Sequence, residues 1–380
     1  MKKIIYFTVS LFVFILFYSC DKEIEFKGEV QEPMLVMNGV VTANEKIVLR
    51  LTESQFFLNV QDYYYKFIKD ADVTLFVNDE FVETFQYKER IFGESNVGQA
   101  PPLIDYEYEN PGAYVAEYLP KVGDHIRIEA KHPNFNTAEA SLIIPNAPIV
   151  LSADTLDRKL IEYPITSFRH DEENDYELIT DTLGIVEMEQ FKLRVQFNDP
   201  AAVRNFYRIG LTVLEKPEGV GFFNEMIVPL LGIKDLEGEH IWAKYLYTVN
   251  DLVFNQNTPE LGSLVDEDGE VMSTNPYLIF DDALFDGESY VLNLIVLRQI
   301  EKRYFDEWID FDHSEPVEEV ILKFTLTEMT KEYHHYLQLV TAHKNYSPLF
   351  SEPIQILNNV KGGIGIIGGE THAEIHIQLK

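Results

Sequence analysis

The chain has 380 residues, with 63 Asp and Glu against 31 Lys and Arg, and a formal charge of −32. A surface this acidic repels phosphate backbones and anionic headgroups, which excludes nucleic acid as an expected partner. An apolar content of 46% excludes global disorder, and a single cysteine rules out an intramolecular disulfide, so stability must come from a core that a chain of this length can build.

The chain opens Met1-Lys2-Lys3, followed by an almost purely apolar run from Ile4 to Tyr18 and then Ser19-Cys20. A basic start, a short apolar core and a small residue before the cut are the parts of a secretory signal. The run is shorter than the roughly 20 residues needed to span a bilayer, so a retained transmembrane helix is the weaker alternative. Cys20 stands where a lipoprotein signal peptidase cuts and where the thiol receives a diacylglycerol thioether. Phe17-Tyr18-Ser19 departs from the Leu-Ala-Gly style of lipobox and resembles the looser form of the Bacteroidetes group. An ordinary secretory signal with an incidental cysteine is the other reading. One acyl chain anchors only marginally, at about 0.8 kcal/mol per buried methylene, so stable attachment takes several. Removing residues 1–19 takes away Lys2 and Lys3, and the remaining chain carries −34.

Residues 20–32 read as a lipidated, charged tether. Its acidic start, Asp21-Lys22-Glu23, resembles the signal that sends lipoproteins to the outer face of the outer membrane, or is a plain solvated linker. Outer-membrane attachment is expected, on the surface or on the periplasmic face.

Residues 33–147 read as a β-sandwich of immunoglobulin-like or fibronectin-like shape. Met34–Val41 is apolar, and Ile47–Leu51 alternates. Val73–Val77 and Phe81–Phe85 flank Asn78-Asp79-Glu80, a hairpin signature. Ala113–Tyr118 follows Pro111-Gly112, His125–Ala130 alternates strictly, and Ala138–Ile144 closes the set. Pro145-Asn146-Ala147-Pro148 is a stiff break and the expected boundary. Residues 148–380 read as a second β-rich domain, with strands at Phe191–Phe197, Phe206–Val213, Ser289–Leu297 and Val320–Leu326. One amphipathic helix is predicted from Glu328 to about His343, with Met329, Tyr333, Tyr336, Leu337 and Val340 at helical spacing and Thr327 as its cap. A glycine-rich segment at 361–369 precedes a final strand.

Three segments carry a resemblance. They are Asp199-Pro200 with Asn205-Phe206-Tyr207-Arg208-Ile209, Asn275 through Asp282 with Phe285-Asp286-Gly287, and Asn358 through Ile366. Together they are similar to a Bacteroidetes lipoprotein family described as a domain of unknown function, over nearly the whole chain. The resemblance implies genes lying beside TonB-dependent outer-membrane receptors, and it carries no catalytic residues.

No nucleophile elbow, P-loop or dinucleotide fingerprint appears. Val265 to Val271 lacks the third ligand position and distal Glu of an EF-hand and reads as a turn. Asp281, Asp282 and Asp286 crowd one turn; they either hold Ca²⁺ or accept backbone N–H bonds, and the structural role is the expectation. His372, Glu374 and His376 alternate along one strand face, a poor geometry for one ion, and read as solvent face. His334, His335 and His343 lack HExxH spacing and read as helix surface. No cofactor or metal is expected. Tyr63-Tyr64-Tyr65 falls between strands and is either a partner contact or sandwich packing, since tyrosine joins an apolar face to a hydroxyl.

The expectation is a cell-envelope lipoprotein acting without catalysis, as an accessory or ligand-capture partner of a TonB-dependent receptor. The alternatives are a lipid-tethered hydrolase such as a glycosidase, and a structural or adhesive surface protein.

Overall fold

Eighteen strands, one α-helix and one short 3-10 helix (Leu252–Asn255) can be placed among the described residues of the computed structural model, which are 32–55, 66–89, 112–170, 178–215, 223–226, 228–229, 245–249, 251–255, 275, 277–304, 320–344 and 356–379. The strands are β1 (Leu35–Thr42), β2 (Ile47–Glu53), β3 (Asp72–Val77), β4 (Glu80–Thr84), β5 (Gln86–Lys88), β6 (Ala113–Ala116), β7 (His125–Lys131), β8 (Ala138–Ile143) and β9 (Ile149–His170). They continue with β10 (Leu178–Asn198), β11 (Phe206–Glu215), β12 (Phe223–Met226), β13 (Val228–Pro229), β14 (Tyr245–Val249), β15 (Ile279–Asp281), β16 (Ser289–Tyr304), β17 (Val320–Met329) and β18 (Ile367–Leu379). The helix, α1, spans Lys331–Lys344. Residues 34–54 and 63–380 form one compact unit, and the other, residues 1–33 and 55–62, lies almost wholly outside the described residues.

Among the described residues the strands form three sheets. The longest has nine strands, in the order β12-β11-β17-β18-β1-β2-β6-β5, with β15 beside β11. A five-stranded sheet runs β13-β14-β16-β10-β9 and a four-stranded sheet β4-β3-β7-β8.

Alternation along the strands decides how these sheets stack. In β1, Leu35, Met37 and Val41 point one way, into a core shared with Val73, Leu75, Ile126 and Ile128 of the four-stranded sheet. In β11 and β17, Tyr207, Ile209, Leu211 and Val213 meet Leu322, Phe324 and Leu326, and all face Phe191, Leu193, Leu292 and Leu294 of the five-stranded sheet. The β17–β18 ladder puts Phe324 opposite Ile375 on this same face. Both smaller sheets therefore cover one face of the long sheet, side by side. Each fully buried side chain of this size contributes about 1.5–3 kcal/mol.

Helix α1 covers the opposite face. Tyr333, Tyr336, Leu337 and Val340 pack with Ile279 and Ile366, against Val40 and Phe206 from the outward side of β1 and β11. The expected helix begins too early. Residues 328 and 329 remain in β17 because β18 pairs with them as far as Met329↔Glu370. Thr327 is buried in that ladder, and Thr330 starts the helix, its carbonyl accepting from the His334 N–H at 3.0 Å.

The expected hairpin is present. Asn78 and Asp79 both take positive φ, 53° and 68°, which turns β3 into β4 in the sense that matches strand twist. Position 147/148 falls between the residues of the two cores except for Val360 and Ile367, which join the N-terminal one, and the long sheet spans it. β1 pairs with β18 in parallel, from Gly39↔Ile367 to Thr42↔Glu370. The Thr371 hydroxyl donates to the Pro145 carbonyl at 2.9 Å, tying the proline break itself to β18.

Candidate functional site

Four segments converge at one end of the core between the five-stranded sheet and the long sheet: the loop after β10, the entry to β11, the β15–β16 connection and the end of β17. β10 ends at Asn198, and Pro200, unable to donate to a ladder, leads the chain out of the sheet. Asp199 in that exit is 6% exposed; it accepts the Tyr207 hydroxyl at 2.6 Å and the Gly287 N–H at 2.8 Å. Asp282, 2% exposed, accepts the Asn205 N–H at 2.7 Å. The Asn205 side-chain amide then donates to Glu328 Oε1 at 2.8 Å. Asp286 lies at the solvent edge and accepts the Ala202 N–H at 3.3 Å. One carboxylate oxygen from each of Asp199, Asp282 and Asp286 lies within 4.8 Å of the others.

Aromatic rings form the floor. Phe197 meets Tyr207 and Phe285 at 5.5 Å each, and Tyr207 meets Phe280 at 5.4 Å. A carboxylate above such a floor loses its hydration, and burial raises the pKa of Asp199, Asp282 and Glu328. For Glu328 burial dominates; the Asn205 amide opposes it, the charges of Asp199 and Asp282 reinforce it, and the carboxyl rises to about 7. Asp281 is turned aside. Its Oδ2 pairs with Arg204 at 2.6 Å and its Oδ1 accepts the Ala283 N–H at 3.1 Å. The cluster is thus a set of hard oxygen donors, the kind that suits a hard cation.

Asp281, Asp282 and Asp286 each accept a backbone N–H, and Asp282 and Asp286 also gather with Asp199 and Glu328, which the sequence reading left out. The missed signal is on the inner face of β17, where Val320, Leu322, Phe324 and Leu326 are followed by Glu328. An ionisable group ending an apolar stripe must have partners or a ligand.

His334 corrects the surface reading. It is 2% exposed, with its ring 4.9 Å from Phe206. His335 is exposed, as expected. His372 and His376 each stand 3.9 Å from Glu374 on β18, and Lys323 already occupies Glu374 at 3.1 Å. The glycine segment makes a close backbone approach: Gly363 and Gly365 lie against the carbonyls of Leu35 and Met37 in β1, and Gly368 lies flat under the Tyr333 ring. Cys20, Tyr63, Tyr64, Tyr65 and the Val265–Val271 turn lie outside the described residues.

The first two resembling segments thus meet at the acid cluster, and the third lines the junction of β1 and β18. A long β-sheet sandwiched against two shorter ones, with a buried carboxylate cluster at one end, describes the class. The chain belongs to the family described as domain of unknown function DUF4249, whose family model matches residues 21–375. No curated protein and no solved structure matches it.

Proposed function

We propose that this protein is a lipid-anchored outer-membrane protein that acts by binding, as a non-enzymatic partner of a TonB-dependent receptor. The observation that carries this reading is the leader, in which a basic start and a short apolar run end at Ser19-Cys20, the only cysteine in the chain. Membership of DUF4249 agrees with the resemblance of the three motifs, and that resemblance implies receptor genes as neighbours. Binding rather than chemistry also suits the acid cluster. Asp199, Asp282 and Glu328 are each more than nine-tenths buried, out of reach of a polymer substrate. A surface for a partner is available along β9, the edge of the five-stranded sheet, which exposes Leu151, Leu156 and Leu160.

Replacing Cys20→Ala is expected to abolish palmitate labelling and move the protein to the soluble fraction. Persistent labelling overturns the anchor. The wild-type protein is expected to recover a receptor from detergent-solubilised outer membranes. Recovery of none, at low or high salt, overturns the partnership. Alanine at Tyr63, Tyr64 and Tyr65 together is expected to weaken that recovery, since an aromatic buried at an interface centre is worth about 2 kcal/mol or more on truncation.

A further inference from the structure

We infer that Asp199, Asp282 and Asp286, closed from within by Glu328 and Asn205, form a Ca²⁺ site. The three aspartates alone would be an acidic turn that accepts backbone N–H groups. The buried side of the cluster adds the argument. Glu328 and Asn205 are 5% and 3% exposed, yet Glu328 Oε2 and Asn205 Oδ1 have no hydrogen-bond partner. Two orphaned oxygens in one buried place are costly unless something positive meets them.

Geometry directs both toward the aspartates. Glu328 is the register partner of Tyr207 across β17 and β11, so both side chains share the inner face, and the Tyr207 hydroxyl reaches Asp199. Asn205 bridges the group, giving its backbone N–H to Asp282 and its side-chain amide to Glu328. Its amide nitrogen is thus committed and its oxygen is left over. Among the described residues no Lys or Arg pairs with Asp199, Asp282, Asp286 or Glu328; the nearby Arg204 is held by Asp281.

Carboxylate and amide oxygens select a hard cation over zinc or copper. Their uneven arrangement, with neutral Asn205 and carboxylates drawn from two loops and one strand end, favours the flexible six-to-eight coordination of Ca²⁺ over the strict octahedron of Mg²⁺. The ligands come from the loop after β10, the entry to β11, the end of β17 and the β15–β16 connection, so the ion would clamp the two layers of this core together.

The test uses the full-length chain in detergent, stripped with chelator and titrated with CaCl₂ or MgCl₂ up to about 1 mM, the range of extracellular calcium modules. The expected result is one Ca²⁺ bound per chain by equilibrium dialysis, with a rise in melting temperature that Mg²⁺ does not reproduce. Asp286→Asn removes a charge from an exposed position and leaves the fold in place; it should weaken Ca²⁺ binding about tenfold or more, since affinity follows ligand charge. Asp79→Asn, in the exposed β3–β4 turn, should leave binding unchanged. No Ca²⁺ uptake by the wild type, or equal affinity in Asp286→Asn, overturns the site. An equal response to Mg²⁺ overturns the assignment to calcium.

Discussion

His334 shows how one misplaced polar group becomes a pH response. Burial against Phe206 pushes its pKa down to about 4, with Asp281 opposing, so the folded protein keeps it neutral. The unfolded chain takes up the proton near the ordinary value of about 6.5. The folded pKa is the lower one, so the contribution of His334 to stability is full above about 6.5 and is lost as pH falls toward 4. Between about pH 7 and pH 5 this loss is on the order of 2 kcal/mol. His334→Leu should remove it, and urea unfolding of both proteins at the two pH values measures the difference, whatever the carboxylates add in common. An equal pH dependence in the two proteins would assign the response elsewhere. The signal was partly present in the sequence: three residues before Leu337, His334 flanks the stripe of Tyr333, Tyr336, Leu337 and Val340, while His335 falls on the opposite side, and reading both as helix surface missed it. The acid cluster was half legible. Asp282 and Asp286 are close in sequence, whereas Asp199 and Glu328 reach them only through strand pairing.

Strands were the readable elements, because a period of two survives in the apolar pattern of β1, β7, β11 and β17. The helix was readable by its stripe but not by its start, since nothing local says that β18 will hold residues 328 and 329 in a ladder. The glycine segment gave a composition without a geometry. Gly365 adopts φ +127° against the Met37 carbonyl, and across the same junction the Met37 N–H donates to the Ile364 carbonyl at 2.8 Å while the Ile364 N–H donates to the Leu35 carbonyl at 2.9 Å. A side chain here must strain its backbone and push β1 away. Gly123, at φ +81°, faces open space. Gly365→Ala should therefore cost about 3 kcal/mol or more, against about 1 kcal/mol for Gly123→Ala, where only the backbone preference is lost. Thermal unfolding of the two variants decides it; equal costs would mean that the β1 junction yields freely.

At the scale of the molecule, the two cores and the shared sheet make opposite demands on a fragment. Residues 148–380 contain every strand of the C-terminal core, but cutting there strips β1 from β18 and leaves Val360 and Ile367 without the N-terminal core they pack in. The fragment is expected to be unfolded or aggregated, and the intact chain to unfold in one transition by both fluorescence and far-ultraviolet circular dichroism. A soluble, cooperatively folding fragment would show that the long sheet divides at β18. The pairing of β1 with β18 also orders events in time. Asn38 and Ile366 are joined by a hydrogen bond although 328 residues separate them. Closing so long a loop adds little to the final free energy, because each doubling of length costs only about 0.6 kcal/mol, but contacts this distant form late. During synthesis, β1 must therefore wait with an open edge while nearly all the rest of the chain emerges. The interval before β18 arrives is when this protein is most exposed to mispairing, and when a chaperone that shields strand edges would protect it most.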